Sequence, residues 1–114
     1  MKQGIGIIVY PVTDVAKAKK LFTQFLGVEP YVASDYYVGY RVGDQEVGLD
    51  PNAHKQGITG PIGYIDVSDI RQSLQALLEA GGQEFQPVRD VARGLLVATV
   101  KDADGNIIGL RQNP

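Results

Sequence analysis

The sequence predicts an α+β domain of two βαβββ modules, which form a curved mixed sheet around a groove with the helices on its outer face. The first observation is a repeated helix signal. Segment 12–15 (Val-Thr-Asp-Val) opens an amphipathic stretch that ends at Gly27, and segment 67–70 (Val-Ser-Asp-Ile) opens another that ends at Gly82. A supersecondary unit that occurs twice cannot bury its apolar face alone, so the two copies are expected to share one core.

The second observation is a repeat near the end of each copy. Val47-Gly48-Leu49 in the first copy corresponds to Ile108-Gly109-Leu110 in the second, and an Asn follows three residues after each Leu. The repeats predict one domain over residues 1–114, with a first module at 4–50, a linker at 51–60 and a second module at 61–112. We expect the function to reside in a groove where the modules meet.

The elements of the first module follow from apolar patterning and turn residues. The β-branched run 5–10 predicts a buried strand. Asp14 is expected to cap the next helix and Gly27 to end it. Three short strands are predicted after this helix, at about 30–33, 36–42 and 45–50.

The second module repeats this order. Residues 62–67 predict a strand, Asp69 is expected to cap the second helix, and the Asp-Gly pair within 102–106 favours a hairpin turn. The later strands are predicted near 84–86, 95–101 and 106–111. The segment 90–94 is interpreted either as a lid over the groove or as a plain surface loop.

Composition excludes several classes of function. The chain has 114 residues, 11 basic and 13 acidic side chains, and no run of Lys or Arg longer than a pair, so no nucleic-acid partner is expected. It has no cysteine, which excludes disulfides and thiolate chemistry. No apolar stretch is long enough for a membrane span and no cleavable leader is evident, so we expect a cytoplasmic protein without a membrane partner.

Four motifs carry a resemblance to a known family. They are Val12-x-Asp14, Phe25-Leu26-Gly27, Val67-x-Asp69 and the segment 101–110, Lys-Asp-Ala-Asp-Gly-Asn-Ile-Ile-Gly-Leu. In this order they resemble the vicinal oxygen chelate superfamily, which includes glyoxalase I, extradiol dioxygenases, and fosfomycin- and bleomycin-resistance proteins. The last motif is similar to the closing hairpin of that family, D-P-D-G-N-x-x-E-L.

The resemblance implies four positions for metal ligands. Typical enzymes of the superfamily hold a divalent metal with side chains from the first and last strands of each module, and the matching positions here are Ile7, Gly48, Ile62 and Gly109. Isoleucine and glycine side chains offer no donor atom, so no metal and no cofactor are expected. The one histidine, His54, falls in the linker and is interpreted as a surface residue.

Strand alternation predicts which side chains line the groove, if the ligand positions of the family face it. The alternation does not decide which face of strand 36–42 lines the groove, and Tyr40 is included as an expectation. The predicted ligand-binding residues are Ile7, Tyr40, Glu46, Gly48, Asp50, Ile62, Tyr64, Asp66, Gly109 and Arg111.

Three functions are consistent with this pattern. The first is a metal-independent binding protein, similar to bleomycin-resistance proteins, that sequesters an amphipathic or aromatic small molecule such as an antibiotic. The second is a metal-free or atypical enzyme of lyase or isomerase type, with Tyr64 and either Asp66 or Glu46 as an acid–base pair. The third is a regulatory or interaction module. No catalytic residue is assigned, and a homodimer is expected.

Overall fold

Eight strands, two α-helices and one short 3-10 helix make up the part of the chain that the computed structural model describes, residues 4–114. The order β-α-β-β-β occurs twice, and this confirms the α+β class and the two modules. The chain divides into two compact units, Gly6–Ile62 and a second formed by Gly63–Pro114 with the start of the first strand. No helix among the described residues has the length and apolar character that a membrane span requires.

The first module contains a mixed sheet. Its elements are β1 (Ile5–Pro11), α1 (Val15–Leu26), β2 (Val32–Ala33), β3 (Val38–Val42) and β4 (Gln45–Asp50). The strands lie in the order β2-β3-β4-β1, with β1 parallel to β4 and the other neighbours antiparallel. The parallel pair needs a long crossover connection, which α1 and the following hairpin provide.

Helix α1 begins and ends where the sequence predicts. The carboxylate of Asp14 accepts a hydrogen bond of 3.1 Å from the backbone N–H of Lys17, so it caps the first turn. Gly27 ends the helix in the left-handed conformation at φ 74°, which a residue without Cβ adopts at little cost. Its N–H donates to the carbonyl of Thr23.

The core of the first module lies between α1 and one face of β3 and β4. Tyr40 is completely buried there, and its hydroxyl donates to the carbonyl of Lys19 at 3.0 Å. Because that proton is used, the hydroxyl of Thr23 donates to the Tyr40 oxygen at 2.8 Å. The strand side chains of this core are Val38, Tyr40, Val47 and Leu49.

The second module has the same arrangement of strands and helix. Its elements are β5 (Ile62–Asp66), α2 (Ile70–Glu79), β6 (Gln83–Ala92), β7 (Leu95–Lys101) and β8 (Ile107–Gln112). The strands lie in the order β5-β8-β7-β6, with β5 parallel to β8 and the other pairs antiparallel. Both modules therefore have the mixed sheet that the sequence predicts.

Helix α2 is capped by Asp69, whose carboxylate accepts from the backbone N–H of Gln72 at 3.2 Å. A second contact holds its first turn, since the N–H of Ile70 donates to the side-chain oxygen of Gln112 at 2.7 Å. The helix buries an apolar stripe on the sheet. The buried cluster is Ile70, Leu74, Ala98, Val100 and Leu110.

Strand β6 is much longer than predicted, and the loop or lid expected at 90–94 is wrong. Asp90 to Ala92 belong to β6, and the chain turns at Arg93-Gly94 with φ 48° and 92°. Register shifts interrupt the pairing with β7 on both sides of Pro87. A proline has no N–H for the ladder, so a bulged strand at the end of the sheet order tolerates it.

The segment 51–60 is also more ordered than the predicted linker. It contains the 3-10 helix Ala53–Gln56, and it buries the side chains of Ala53 and Ile58. His54 is exposed on this helix, as expected for a surface residue.

The hairpin between β7 and β8 is confirmed. The carboxylate of Asp102 accepts hydrogen bonds from the side chain of Asn106 at 2.9 Å and from the backbone N–H groups of Asp104 and Asn106. These bonds stabilise the ionised form, and the bond from the Asn106 side chain contributes most to lowering the pKa of Asp102. The hairpin is therefore most stable above the unfolded-state pKa and weakens as the pH falls through the folded-state pKa.

The buried hydroxyl of Tyr40 provides a test of the first core. We expect Tyr40→Phe to lower the free energy of unfolding by about 1–2 kcal/mol, because two partners in a buried site lose a hydrogen bond. Tyr36→Phe is the matched control, since the Tyr36 side chain is 76% exposed. Chemical denaturation measures both variants, and equal stabilities would contradict this account of the core.

Candidate ligand-binding faces

The face of the first sheet that turns away from α1 is called here the first helix-free face. Tyr40, Val47 and Leu49 pack towards α1, so the residues that alternate with them lie on the other side. The strand register arranges this face in two rows. One row is Ile7, Glu46 and Arg41, and the other is Val9, Gly48 and Gly39.

A tyrosine from the segment before β2 lies across this face. The ring of Tyr31 stands over Gly39, where an added Cβ would be 3.0 Å from the phenol carbon and oxygen. Its hydroxyl donates to Oε1 of Glu46 at 3.1 Å, and the guanidinium carbon of Arg41 lies 4.0 Å from the ring centroid. Tyr31 therefore joins an acidic and a basic side chain of the same row.

A second tyrosine covers Gly48, one of the four positions that the resemblance implies for metal ligands. The phenol of Tyr37 stands over Gly48, where a Cβ would be 2.8 Å from the carbon that bears the hydroxyl. A turn holds the start of this segment, because Ser34 Oγ accepts from the N–H of Tyr36 at 3.1 Å and from that of Tyr37 at 3.2 Å. A side chain at position 48 would displace this phenol.

The second module has a corresponding helix-free face on β5, β7 and β8. Leu110, Ala98 and Val100 pack towards α2, so Gly109 and Arg111 lie on the opposite side. The ring of Tyr64 covers Gly109, with its Cε2 and Cγ atoms 2.5 and 2.8 Å from where a Cβ would be. A phenol ring thus covers the matching glycine in each module.

An ion pair is held beside Tyr64. The guanidinium of Arg111 donates to both carboxylate oxygens of Asp66, at 2.5 Å from Nε and 3.0 Å from Nη2. The side chains are 10% and 23% exposed, so the pair is largely removed from water. Loss of either partner would leave a charge in a poorly solvated position.

The structure separates the ten predicted site residues into three groups. The helix-free faces contain Ile7, Glu46, Gly48, Asp50, Tyr64, Asp66, Gly109 and Arg111. Ile62 forms the second group, because its side chain is buried and only 3% exposed. Tyr40 is on the opposite face, in the core beneath α1, so its expected position on the ligand side is wrong.

The sequence contained a signal for the correct face of β3. A two-residue turn at Gly43-Asp44 pairs Val42 with Gln45, and it therefore places Arg41 opposite Glu46. Neighbours across the ladder share a face. This register predicts that Arg41, and not Tyr40, lies on the same side as Glu46.

A shallow depression of about 300 Å³ lies elsewhere, at the end of α1. Thr23, Gln24, Gly27, Val28 and Glu29 line it, and none of them belongs to a helix-free face. It brings together no set of groups that could perform acid–base or nucleophilic chemistry.

The four positions that the resemblance implies for metal ligands hold no side chain that could bind a metal. Ile7 and Ile62 are apolar, and phenol groups cover Gly48 and Gly109. Within residues 4–114 no three His, Cys, Asp or Glu side chains are grouped as metal ligands.

Comparison with protein families agrees with this architecture. Residues 4–110 match the Glyoxalase/Bleomycin resistance protein/Dioxygenase superfamily. The chain belongs to this superfamily. The match covers nearly all of both modules, and no curated protein matches the chain.

Several solved structures share the fold of this chain at low sequence identity. A superfamily member from Vibrio splendidus 12B01 is 16% identical over 99% of this chain and 100% of that chain, with a TM-score of 0.73. Methylmalonyl-CoA epimerase from Mycobacterium tuberculosis is 17% identical over 97% and 88%, with a TM-score of 0.70. A hypothetical protein from Bacillus halodurans C-125 is 18% identical over 100% and 96%, with a TM-score of 0.77.

The glycine–phenol packing predicts an order of mutational costs. We expect Gly109→Ala to lower the free energy of unfolding by about 1–3 kcal/mol, because its methyl group meets the ring of Tyr64. Gly48→Ala should cost less, since the hydroxyl end of Tyr37 can move aside. Gly60→Ala is the control, because a Cβ there meets no atom within 4 Å. Equal unfolding free energies for all three variants, measured in denaturant, would contradict this packing.

Proposed function

We propose that this protein binds a small planar or amphipathic organic molecule without the help of a divalent metal. The observation that carries the proposal is the replacement of the family metal ligands. Phenol rings stand over Gly48 and Gly109, where the donor side chains of metal-dependent relatives would begin. The glycines leave room for these rings, and the rings supply apolar surface with a polar edge.

The composition of the first helix-free face supports this proposal. Small-molecule sites combine apolar surface with a few placed polar groups. Here Val9 supplies aliphatic surface, Tyr31 and Tyr37 supply rings, and Arg41 is a charged anchor. Tyr31 is 46% exposed, so a ligand could reach its ring.

The state of the carboxylates favours binding over catalysis. A general base must offer a carboxylate oxygen to the proton that it removes. Asp66 uses both oxygens to accept from Arg111, and Glu46 accepts from the hydroxyl of Tyr31. These are the two acids that the sequence suggests for an acid–base pair, and each already accepts hydrogen bonds from protein groups.

Sequestration of an antibiotic-like molecule is the form of this function that we propose, with a cytoplasmic homodimer as the active species.

Two exposed apolar side chains on α1 support the homodimer. Leu21 and Phe25, one turn apart, are 66% and 72% exposed, which favours association through an apolar surface. Analytical ultracentrifugation should show a dimer, and a monomer at all micromolar concentrations would contradict the homodimer. Fractionation of the source cells tests the location.

The proposed function has a direct test with two parts. Equilibrium dialysis against Zn²⁺, Mn²⁺, Ni²⁺ and Mg²⁺ should leave far less than one ion per chain, because the family positions offer no donor atoms. A thermal-shift panel of planar antibiotics and aromatic metabolites should contain compounds that raise the Tm, because a ligand that binds only the folded state stabilises it.

Variants connect any stabilisation to the proposed face. Tyr37→Ala is expected to reduce the ligand-induced rise in Tm, whereas Tyr36→Ala should leave it unchanged, since Tyr36 is exposed in the turn before β3. One tightly held ion per chain, or a panel in which no compound stabilises the protein, would overturn the proposal.

A further inference from the structure

The guanidinium of Arg41 is positioned but has no polar partner. It lies on the first helix-free face, 4.0 Å from the centroid of the Tyr31 ring. Within residues 4–114, the side chain of Arg41 makes no hydrogen bond and no ion pair, although Glu46 is its neighbour across the strand pair. The cation–π contact orients the guanidinium plane while it leaves the N–H donors unused.

The partner of this contact is itself fixed. The hydroxyl of Tyr31 donates to Glu46 at 3.1 Å, its backbone N–H donates to the carbonyl of Gly39 at 2.9 Å, and its ring stands over Gly39. Three separate contacts therefore hold the ring on which Arg41 lies. A side chain held in this way loses less conformational entropy when it binds a ligand.

The surface beside Arg41 has few polar side chains. The row next to it consists of Val9 and two glycines, and the phenol of Tyr37 covers one of these glycines. A planar ring can lie on such a surface, since stacked or edge-on contact with phenols is favourable. An acidic group on that ring would then meet the guanidinium.

We propose that the ligand of this face is a planar aromatic molecule that carries a carboxylate, and that Arg41 binds the carboxylate through two parallel hydrogen bonds. This inference rests on the proposed metal-free binding function and specifies the ligand class. Arginine is suited to the role because its rigid fork of N–H donors matches the two oxygens of a carboxylate.

Glu46 makes the recognition depend on geometry rather than on net charge. Its carboxylate lies in the same row as Arg41, so the two charges partly cancel at a distance. An anion gains little from the general field of this face, and it gains most when it forms both hydrogen bonds to the guanidinium. The site should therefore prefer flat carboxylates, and its affinity should depend only weakly on salt.

A pair of matched probes tests this ligand class. 2-Naphthoate and 2-naphthamide have the same ring system and differ in the charged group. In NMR titrations of the full chain, 2-naphthoate should bind about tenfold more tightly or better, because charge-assisted bidentate bonds are stronger than neutral ones. The backbone amides of Tyr31, Gly39 and Arg41 should shift during the titration.

Variants assign this preference to one side chain. Arg41→Gln should bind the two probes equally, and Arg41→Lys should retain only part of the preference, because an ammonium group lacks the planar fork. Arg71→Gln is the control, since Arg71 is an exposed arginine on α2. Thermal melts of each variant confirm that it is folded.

The outcomes separate this inference from the function on which it rests. If both naphthyl probes bind this face of the wild-type protein equally, or if Arg41→Gln keeps the preference, the carboxylate inference is overturned and the metal-free binding function stands. If neither probe binds and the wider panel also contains no ligand, both proposals are overturned.

Discussion

The burial of Tyr40 beneath α1 determines which side chains lie on the first helix-free face. Its ring is completely buried and its hydroxyl is hydrogen-bonded to Thr23 and Lys19. Because side chains alternate along a strand, this contact places Arg41 on the other side of β3. The pairing of β3 with β4 then brings Glu46 and Gly48 to the side of Arg41. A slip of one residue would exchange the core and the candidate site.

The two helix-free faces use the same local solution with different residues. In each module a glycine of the last strand lies beneath a phenol ring, but Tyr37 comes from the turn before β3 while Tyr64 comes from β5. The polar groups also differ, since Arg111 is paired with Asp66 and the guanidinium of Arg41 lies over the ring of Tyr31. The two modules therefore share their backbone arrangement and their glycine–phenol packing. They differ in their charged groups, since the arginine of the second face is in an ion pair and that of the first face is not.

Local signals were sufficient to predict most of the fold from the sequence. Asp14, Asp69 and Gly27 act through contacts with near neighbours in the chain, and the hairpin at Asp102 depends on side chains at most four residues away. Single-residue patterns of this kind can be read without knowledge of the tertiary structure. The superfamily match agrees with the fold that these signals predicted.

Two predictions, the loop at 90–94 and the face of Tyr40, were wrong because contacts between residues distant in the chain decide the structure there. Pairing with β7 extends β6 through Pro87 and Asp90, although their local sequence favours a loop. The contacts that bury Tyr40 are distant in the chain, since the partners of its hydroxyl are 17 and 21 residues away. The face of β3 followed from the turn at Gly43-Asp44 only when the register was counted across it.

The four positions that the resemblance implies for metal ligands, Ile7, Gly48, Ile62 and Gly109, offer no donor atom, so a ligand would have to be selected in another way. A metal ion binds almost any oxygen donor of suitable geometry, and the bond is strong compared with a single hydrogen bond. A site of phenol rings and one guanidinium must instead gain affinity from contact area, with few polar groups to set the orientation. On the proposed function, specificity would therefore depend on the fit of a flat ring and on the group that pairs with Arg41. On the proposed function, the residues that matter most for recognition are Arg41 itself, Tyr31, whose ring lies against the guanidinium, and Glu46, which accepts from the Tyr31 hydroxyl.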